Sequence, residues 1–529
     1  MTTDGAFTGT LVLAVRAMRG DRWLVLGSGA ALALLYWAQA WSIDRLYTGE
    51  GELARMAAAM ERNDAMIALA GPARALDTVG GQVTWQASAF GAVLLGLVVM
   101  VVVTRHTRAE EESGRDDLVR SGAVGRFAPP AAAVLTSVAL SVLSGLLVTL
   151  SLVVYPLDTA DSLALGVGLT LCGLCFTGTT LVAAQLVAST RAARGIAGAV
   201  VAAAYALRAV GDVSVPALSW LSPIGWYQGM QPFSGLRWWP AVLLLGATVV
   251  NLAVAAVLLV RRDIGGGLVA ARPGPPRAGR LLAGPVGLAW RLQRAGVLGW
   301  GVGLALTAPA YGALGTEVDE LVGSTDLGRD VMTQGAADLV DGYFATMLLM
   351  LALLVTGFAT ASTLRPRAEE ESGLAELVLA TPLRRGRWLL AWTAVTLLGT
   401  ALLLVVSGLG IGTGFALVSS DPAQVGAFVL PMLQYAPSVL VLAAVARLVH
   451  AAVPRRAALA WVPLGVAVVV MFFGELLDLP RWVRWLSPFD HLPLVPAEDS
   501  SLPALAALLA VALAVGVSAQ FAFLRRDIG

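Results

Sequence analysis

Few residues in this chain could do chemistry, and they fall into three patterns. Cys172 and Cys175 form a C-x-x-C inside an apolar run. That spacing suits redox or metal chemistry, but no second pair and no nearby histidine accompany it. Small residues packing helix against helix is the other reading. The second pattern is an absence. All 36 basic residues are arginine. A P-loop needs the lysine of G-x-x-x-x-G-K-[ST] to reach the β/γ-phosphates, so this chain holds no standard one. If ATP drives it, another chain binds the ATP. The third pattern is RAEEESG, which occurs at Arg108–Gly114 and again at Arg367–Gly373.

Each heptad lies between arginines, in RHTRAEEESGRDDLVRSGAVGR and in RPRAEEESGLAELVLATPLRRGR. Both stretches read as short helices. Glu110, Glu111 and Glu112, like Glu369, Glu370 and Glu371, are expected near a helix N-terminus, where the backbone dipole favours carboxylates. Gly114 and Gly373 allow a bend or a close backbone approach. One such segment reads as a solvated polar cap. Two, in equivalent places, suit docking to a symmetric partner.

The elements that carry these segments follow from composition. Charged residues make up 13% of 529 and mean hydropathy is +0.76, against about 25% charge in a soluble domain. This is a membrane chain. Runs of about 20 apolar residues, the length that crosses a bilayer, number roughly twelve. They lie near 23–43, 85–104, 127–155, 163–189, 192–213 and 239–260, then 291–313, 342–364, 388–418, 425–449, 457–477 and 502–524. The first run ends in YWAQAWSIDR without a small-x-small cleavage site, so it reads as a retained span rather than a signal peptide. With the N-terminus inside, 27 arginines fall on the inner side and 8 on the outer, and Arg208 lies near an outer helix end. That positive-inside bias places both termini and both heptads in the cytoplasm and the chain in the cell membrane.

The repeat extends beyond the heptad. Arg16, Arg19 and Tyr36 recur as Arg291, Arg294 and Tyr311. WLSP at Trp220–Pro223 recurs at Trp485–Pro488, and RRDIG at Arg261–Gly265 recurs at Arg525–Gly529. The collinear matches indicate duplication of a six-span unit. The fold class is therefore an all-α polytopic bundle of two tandem six-helix halves, related by an axis along the membrane normal. The expected division is residues 1–264, a Gly/Pro/Arg-rich linker over 265–282, and residues 283–529. The heptad segments span about 106–122 and 366–382.

On these residues the chain resembles the membrane subunit of type-2 ABC exporters, in particular fused twelve-span actinobacterial permeases of the tetronasin-resistance kind. In that family a glutamate-rich EE-x-G-R segment between the second and third helices forms the coupling helix. RAEEESGRDDL matches it through Gly114 and Arg115, while RAEEESGLAEL has Leu374 where the family arginine stands. LSPIGW, Leu221–Trp226, resembles a family segment before the sixth span, and LSPFDH, Leu486–His491, is its altered copy. The resemblance implies two copies of a separate ABC ATPase. ATP and magnesium would be held there, with no cofactor and no catalysis in this chain. It also implies drug or antibiotic export.

The spans carry few charges, which suits a hydrophobic or amphipathic small-molecule cargo in contact with lipid. No nucleic-acid partner and no metal site are expected. Tyr36, Trp37, Tyr205, Tyr311, Phe472 and Phe473 are candidates for lining a substrate path, with interfacial belt positions as the alternative. Gln39, Gln185, Asn251, Gln434 and Glu475 should face protein or a cavity rather than lipid. Residues 8–22 and 283–294 either lie along the membrane surface, as an elbow helix does in the family, or begin the first span of each half. Two other classes fit a repeated helical bundle. One is an ion-coupled secondary transporter, which would need midplane acids. The other is a non-transporting membrane scaffold.

Overall fold

The computed structural model describes residues 5–46, 52–60, 64–263, 265–269, 279, 282, 284–316, 339–473 and 479–526. Among these every regular element is helical. Most of the linker and Glu475 lie outside them, and so do the side chains of Phe472 and Phe473. The chain divides into two units, Met1–Gly274 and Pro275–Gly529.

Six helices of the first unit are long and apolar enough to cross a membrane: Thr10–Arg45, Val79–Glu112, Ala128–Val154, Thr159–Leu186, Thr190–Val213 and Trp239–Arg261. The second unit has Val340–Glu371, Arg385–Ser419, Pro454–Met471 and Leu502–Arg525, and Pro422–Gln434 with Ala436–Ala452 forms a pair bent by 42°. The described residues thus give ten spans, or eleven with the bent pair. The shortfall from twelve is Pro285–Ala313, a helix of 29 residues. Gly296, Gly299, Gly301 and Gly303 dilute its hydropathy without breaking it.

The surface-helix alternative for residues 8–22 is overturned. One uninterrupted helix runs from Thr10 to Leu46. Asp21, the charge that would favour a break, is buried and satisfied by Arg105 at 2.5 Å and His106 at 2.6 Å. In the second unit the helix likewise starts at Pro285, with proline at a position where its missing N–H costs nothing.

The core of the first unit packs Leu95, Val99, Leu140, Leu165, Leu169 and Phe176 between the second, third and fourth spans. Cys172 and Cys175 are free thiols buried in it, and no metal-holding group of His, Cys, Asp or Glu exists among the described residues. Polar side chains in the spans serve helix contacts. Gln39 donates to Gln86 at 3.0 Å, and Gln86 to Gln82 at 3.1 Å. Asn251 instead donates to the Ala247 carbonyl one turn back in its own helix, at 2.8 Å.

At the end away from the arginine-rich side, Arg208 is completely buried. It pairs with Asp212 at 3.6 Å and donates to the Leu69 carbonyl at 2.9 Å, pinning the short helix Asp64–Ala70 to the fifth span. In LSPIGW, Ser222 caps the helix Pro223–Gly229, accepting from Ile224 N at 3.1 Å, and donates its own hydroxyl to the Ala204 carbonyl.

Candidate heptad site at the arginine-rich end

In both copies the glutamates sit on a short helix that follows the second span directly, Arg108–Glu112 after Val79–Arg105 and Arg365–Glu371 after Leu339–Thr363. The first span–heptad stretch runs Val79–Glu112 and the second Val340–Glu371. Glu110 and Glu111 occupy the first turn of the segment Arg108–Glu112. Glu369, Glu370 and Glu371 close the C-terminal end of Arg365–Glu371, which corrects the expectation of a helix N-terminus there. The second segment opens at Arg365 with Pro366 in its first turn, two residues earlier in the repeat than Arg108, so its glutamates fall at the end of the helix rather than at its start. Gly114 and Gly373 each adopt φ +72°, and a Cβ added to either would meet nothing. The demand on glycine is the left-handed backbone, not space. A second short helix follows in each copy, Arg115–Arg120 and Leu374–Leu379.

The three glutamates of a triplet have different surroundings. The Glu111 side chain is only 8% exposed, with Arg108 at 2.9 Å and Arg262 at 2.5 Å. Arg262 also donates to Gln185 Oε1 at 2.6 Å. Arg108 donates to the Ala184 carbonyl and, at 2.9 Å, to that of Gly266. Leu268 N and Val269 N then bond to the carbonyls of Gln185 and Leu186. Glu111 is therefore the centre of a knot that ties the second span to the ends of the fourth and the sixth. Glu112 accepts from Thr190 N at 3.1 Å, at the start of the fifth span. Glu110 is the looser member, 3.6 Å from an exposed Arg115.

The second copy repeats the plan with different atoms. Glu370 binds Arg526, the counterpart of Arg262 in the RRDIG repeat, and lies 3.4 Å from buried His450. Arg526 also donates to the His450 carbonyl at 2.9 Å. Arg367 pairs with Glu371 at 2.5 Å and donates to the Pro454 carbonyl. Sequence reading missed Arg262, Arg526 and His450 as partners of the glutamates.

What each copy presents to solvent is the same, position by position. Glu112, Ser113, Arg115, Asp117 and Leu118 are exposed in the first, and Glu371, Ser372, Leu374, Glu376 and Leu377 in the second. Leu118 is 75% exposed and Leu377 70%. A leucine in water at the tip of a polar loop is unusual enough to need a reason, and finding it twice at one repeat position doubles the weight. The inward position differs. Asp116 is buried against Arg120 at 2.5 Å, where the second copy has buried Ala375.

The aromatic candidates are scattered. Tyr36 is fully buried in the first core, its hydroxyl 3.3 Å from that of Tyr227, and faces no open space. Trp37 is part-exposed and stacks on Trp41. Tyr205 donates to the Leu69 carbonyl and carries the Arg208 guanidinium 4.5 Å from its ring. The Tyr311 carbonyl accepts from the Tyr343 hydroxyl at 2.8 Å.

Residues 282–524 match the family profile described as "Multidrug efflux system permease Rv1217c, C-terminal domain". The chain is also similar to the multidrug efflux system permease protein Rv1217c of Mycobacterium tuberculosis (strain ATCC 25618 / H37Rv). The two are 36% identical over 534 residues, covering 99% of this chain and 96% of that protein.

Proposed function

This chain belongs to the family of the Rv1217c multidrug efflux permease, and from that premise we propose that it is the membrane subunit of an ATP-driven exporter of hydrophobic or amphipathic small molecules. It is a transport subunit, not an enzyme. Two copies of a separate ABC ATPase, which hold the ATP and magnesium, dock on the two heptad projections from the cytoplasm. The observation that carries this reading is the pair of equivalent helix–glycine–helix projections with the same exposed pattern. Each is braced to neighbouring spans of its own unit by ion pairs and hydrogen bonds, so a push on the projection is transmitted to those spans rather than absorbed in a loop.

Within each projection the contacts divide. Leu118 and Leu377 are the apolar anchors, and burying one in a partner groove contributes about 1.5–3 kcal/mol. Glu110, Glu112, Arg115, Glu369 and Glu371 form the polar rim, where each pair contributes about 0–1 kcal/mol. Glu111, Glu370, Gly114 and Gly373 set the shape. Leu118→Asp combined with Leu377→Asp should leave the protein folded and abolish both co-purification with the ATPase and its stimulation. Retention of both would exclude these loops as the docking points. Leu374→Arg, restoring the rim charge found at Arg115, should tighten association at the second projection.

Trp37, Tyr205 and Tyr311, each part-exposed, are retained as candidates for the substrate path; Phe472 and Phe473 stay candidates by sequence alone.

The orientation puts both termini and both heptads in the cytoplasm. A cysteine at exposed Asp77 should then react with an impermeant maleimide on intact cells, and one at exposed Ser121 should not. Cys172 and Cys175 are buried and give no background. Position 80 is unsuitable, because a side chain there would run into Phe233. Labelling at 121 but not at 77 would reverse the topology and remove the ATPase from the heptads.

A further inference from the structure

The second unit contains a cavity of about 520 Å³ between Ala436–Ala452, Leu502–Arg525 and the start of Arg385–Ser419. That volume is within the usual range for a small-ligand site. Its wall is apolar, with Leu389, Trp392, Leu509, Leu513 and Phe521 prominent. The Thr393 hydroxyl is taken up by the Leu389 carbonyl and that of Thr396 by Ser362 Oγ at 2.7 Å and the Trp392 carbonyl, so neither is free for a ligand.

One charge stands in this wall. Arg447 is 7% exposed and lines the cavity. It donates to Gln520 Oε1, and Gln520 in turn donates to the Gly386 carbonyl at 3.2 Å. No carboxylate lies within ion-pair distance of it among the described residues, and its buried Nε has no hydrogen-bond partner there. A buried cation without a counter-ion is costly. Inside a membrane bundle such a residue marks a ligand or ion site more often than a structural one. The first unit has no equivalent. At the 265-residue offset of WLSP its counterpart is Val182, and at the 264-residue offset of RRDIG the counterpart of Gln520 is Ala256. Val182 packs against the first core.

We propose that this cavity binds the headgroup phosphate and one acyl chain of an anionic phospholipid. The guanidinium offers its free N–H donors to phosphate oxygens in the charge-assisted geometry that arginine favours. The chain then lies along Leu389, Leu509 and Leu513. Leu509, Leu513 and Phe521 are all exposed, so the mouth opens where a lipid can enter. Arg447 is near the arginine-rich end of its helix, at the level of a headgroup. Basic pockets between spans on that side recognise acidic lipids. The assignment to the inner leaflet rests on the proposed orientation, but binding itself does not.

The test uses the full chain purified in neutral detergent, with phosphatidylglycerol, phosphatidylcholine and dodecyl phosphate as probes and bound adducts read by native mass spectrometry. Phosphatidylglycerol should bind about tenfold or more tightly than phosphatidylcholine. Arg447→Gln should abolish that preference. Leu513→Trp, which fills the cavity and leaves the arginine in place, should weaken phosphatidylglycerol binding too. Equal binding of the two lipids by the wild type, or a preference that survives both substitutions, overturns the site. Arg447-dependent binding of dodecyl phosphate without phosphatidylglycerol shows a pocket for free amphipathic acids and overturns the lipid assignment. None of these results depends on the ATPase, so failure here leaves the docking proposal standing and the reverse.

Discussion

Glu111→Ala should be the most damaging single change in either heptad, well beyond Glu110→Ala or Glu112→Ala. Removing this carboxylate leaves Arg108 and Arg262 buried against each other, with side-chain exposures of 0% and 4%. Breaking a buried pair costs about 3–5 kcal/mol, because an uncompensated charge stays behind. The Glu110–Arg115 pair is 35% and 65% exposed, and pairs of that kind contribute about 0–1 kcal/mol. The loss at Glu111 should appear as loosening of the 108–126 and 262–269 segments. Limited proteolysis would detect it, along with loss of ATPase stimulation. Glu111→Ala with Arg262→Met should recover part of the loss, since one stranded cation goes with the carboxylate. Glu370→Ala should be milder, because Arg526 and Glu370 are both more open to water and can be resolvated. Equal sensitivity of Glu110→Ala and Glu111→Ala would refute the knot. A consequence is that charge reversal across a whole triplet reports on the integrity of the loop before it reports on docking.

The sequence carried the repeat, the helical class and the place of the heptads plainly, because each depends on local runs and short matches. It did not carry the inward turn of Glu111. That depends on Arg262, 151 residues away, and on which face of a helical turn meets the bundle. A clue was nonetheless present. Both ends of each ion pair, Glu111 with Arg262 and Glu370 with Arg526, sit inside motifs that are identical in the two copies, so a paired role for RAEEESG and RRDIG was readable from their joint repetition. Leu118 and Leu377 were harder to see. An isolated leucine in an amphipathic stretch normally faces the core, and only the structure turns these two outward. Arg447 has no repeat partner at all, and nothing local separates it from the other arginines near helix ends. Tyr36 illustrates the opposite error. An aromatic near a span boundary reads as belt or path, yet Gly91 opens a slot in the second span into which it packs. A Cβ on Gly91 would come within 2.4 Å of its hydroxyl.

Two glycine contacts should decide whether the bundles assemble. Gly145 on the third span and Gly166 on the fourth face each other across a close crossing. A Cβ at Gly145 would lie 2.4 Å from the Gly166 carbonyl oxygen and 2.1 Å from Thr170 Oγ1, and one at Gly166 would meet Gly145 and Thr149 at the same distances. Gly145 with Thr149 and Gly166 with Thr170 are two small-xxx-small pairs, the arrangement that lets membrane helices approach backbone to backbone. In the second unit, a Cβ at Gly414 would lie 1.9 Å from the Pro309 carbonyl oxygen, and one at Gly312 would lie 2.0 Å from that of Ile411. In a free helix, glycine to alanine is favourable by about 0.8–1 kcal/mol. Here the obstacle is backbone, which has no rotamer to change, so the crossing must open. Overpacking costs about 1–3 kcal/mol where side chains can yield, and more is expected where they cannot. Gly145→Ala and Gly414→Ala should therefore each lower the detergent melting temperature, and the corresponding valines should prevent recovery of a monodisperse protein. Gly246 on the sixth span has nothing within 4 Å of its Cβ position, so Gly246→Ala should be neutral or stabilising. Thr170→Ala added to Gly145→Ala should rescue only in part, because the Gly166 carbonyl still blocks the path. Full rescue would mean that the threonine, and not the backbone approach, sets the spacing, and an equal response at 145, 414 and 246 would mean that glycine acts here through helix propensity alone.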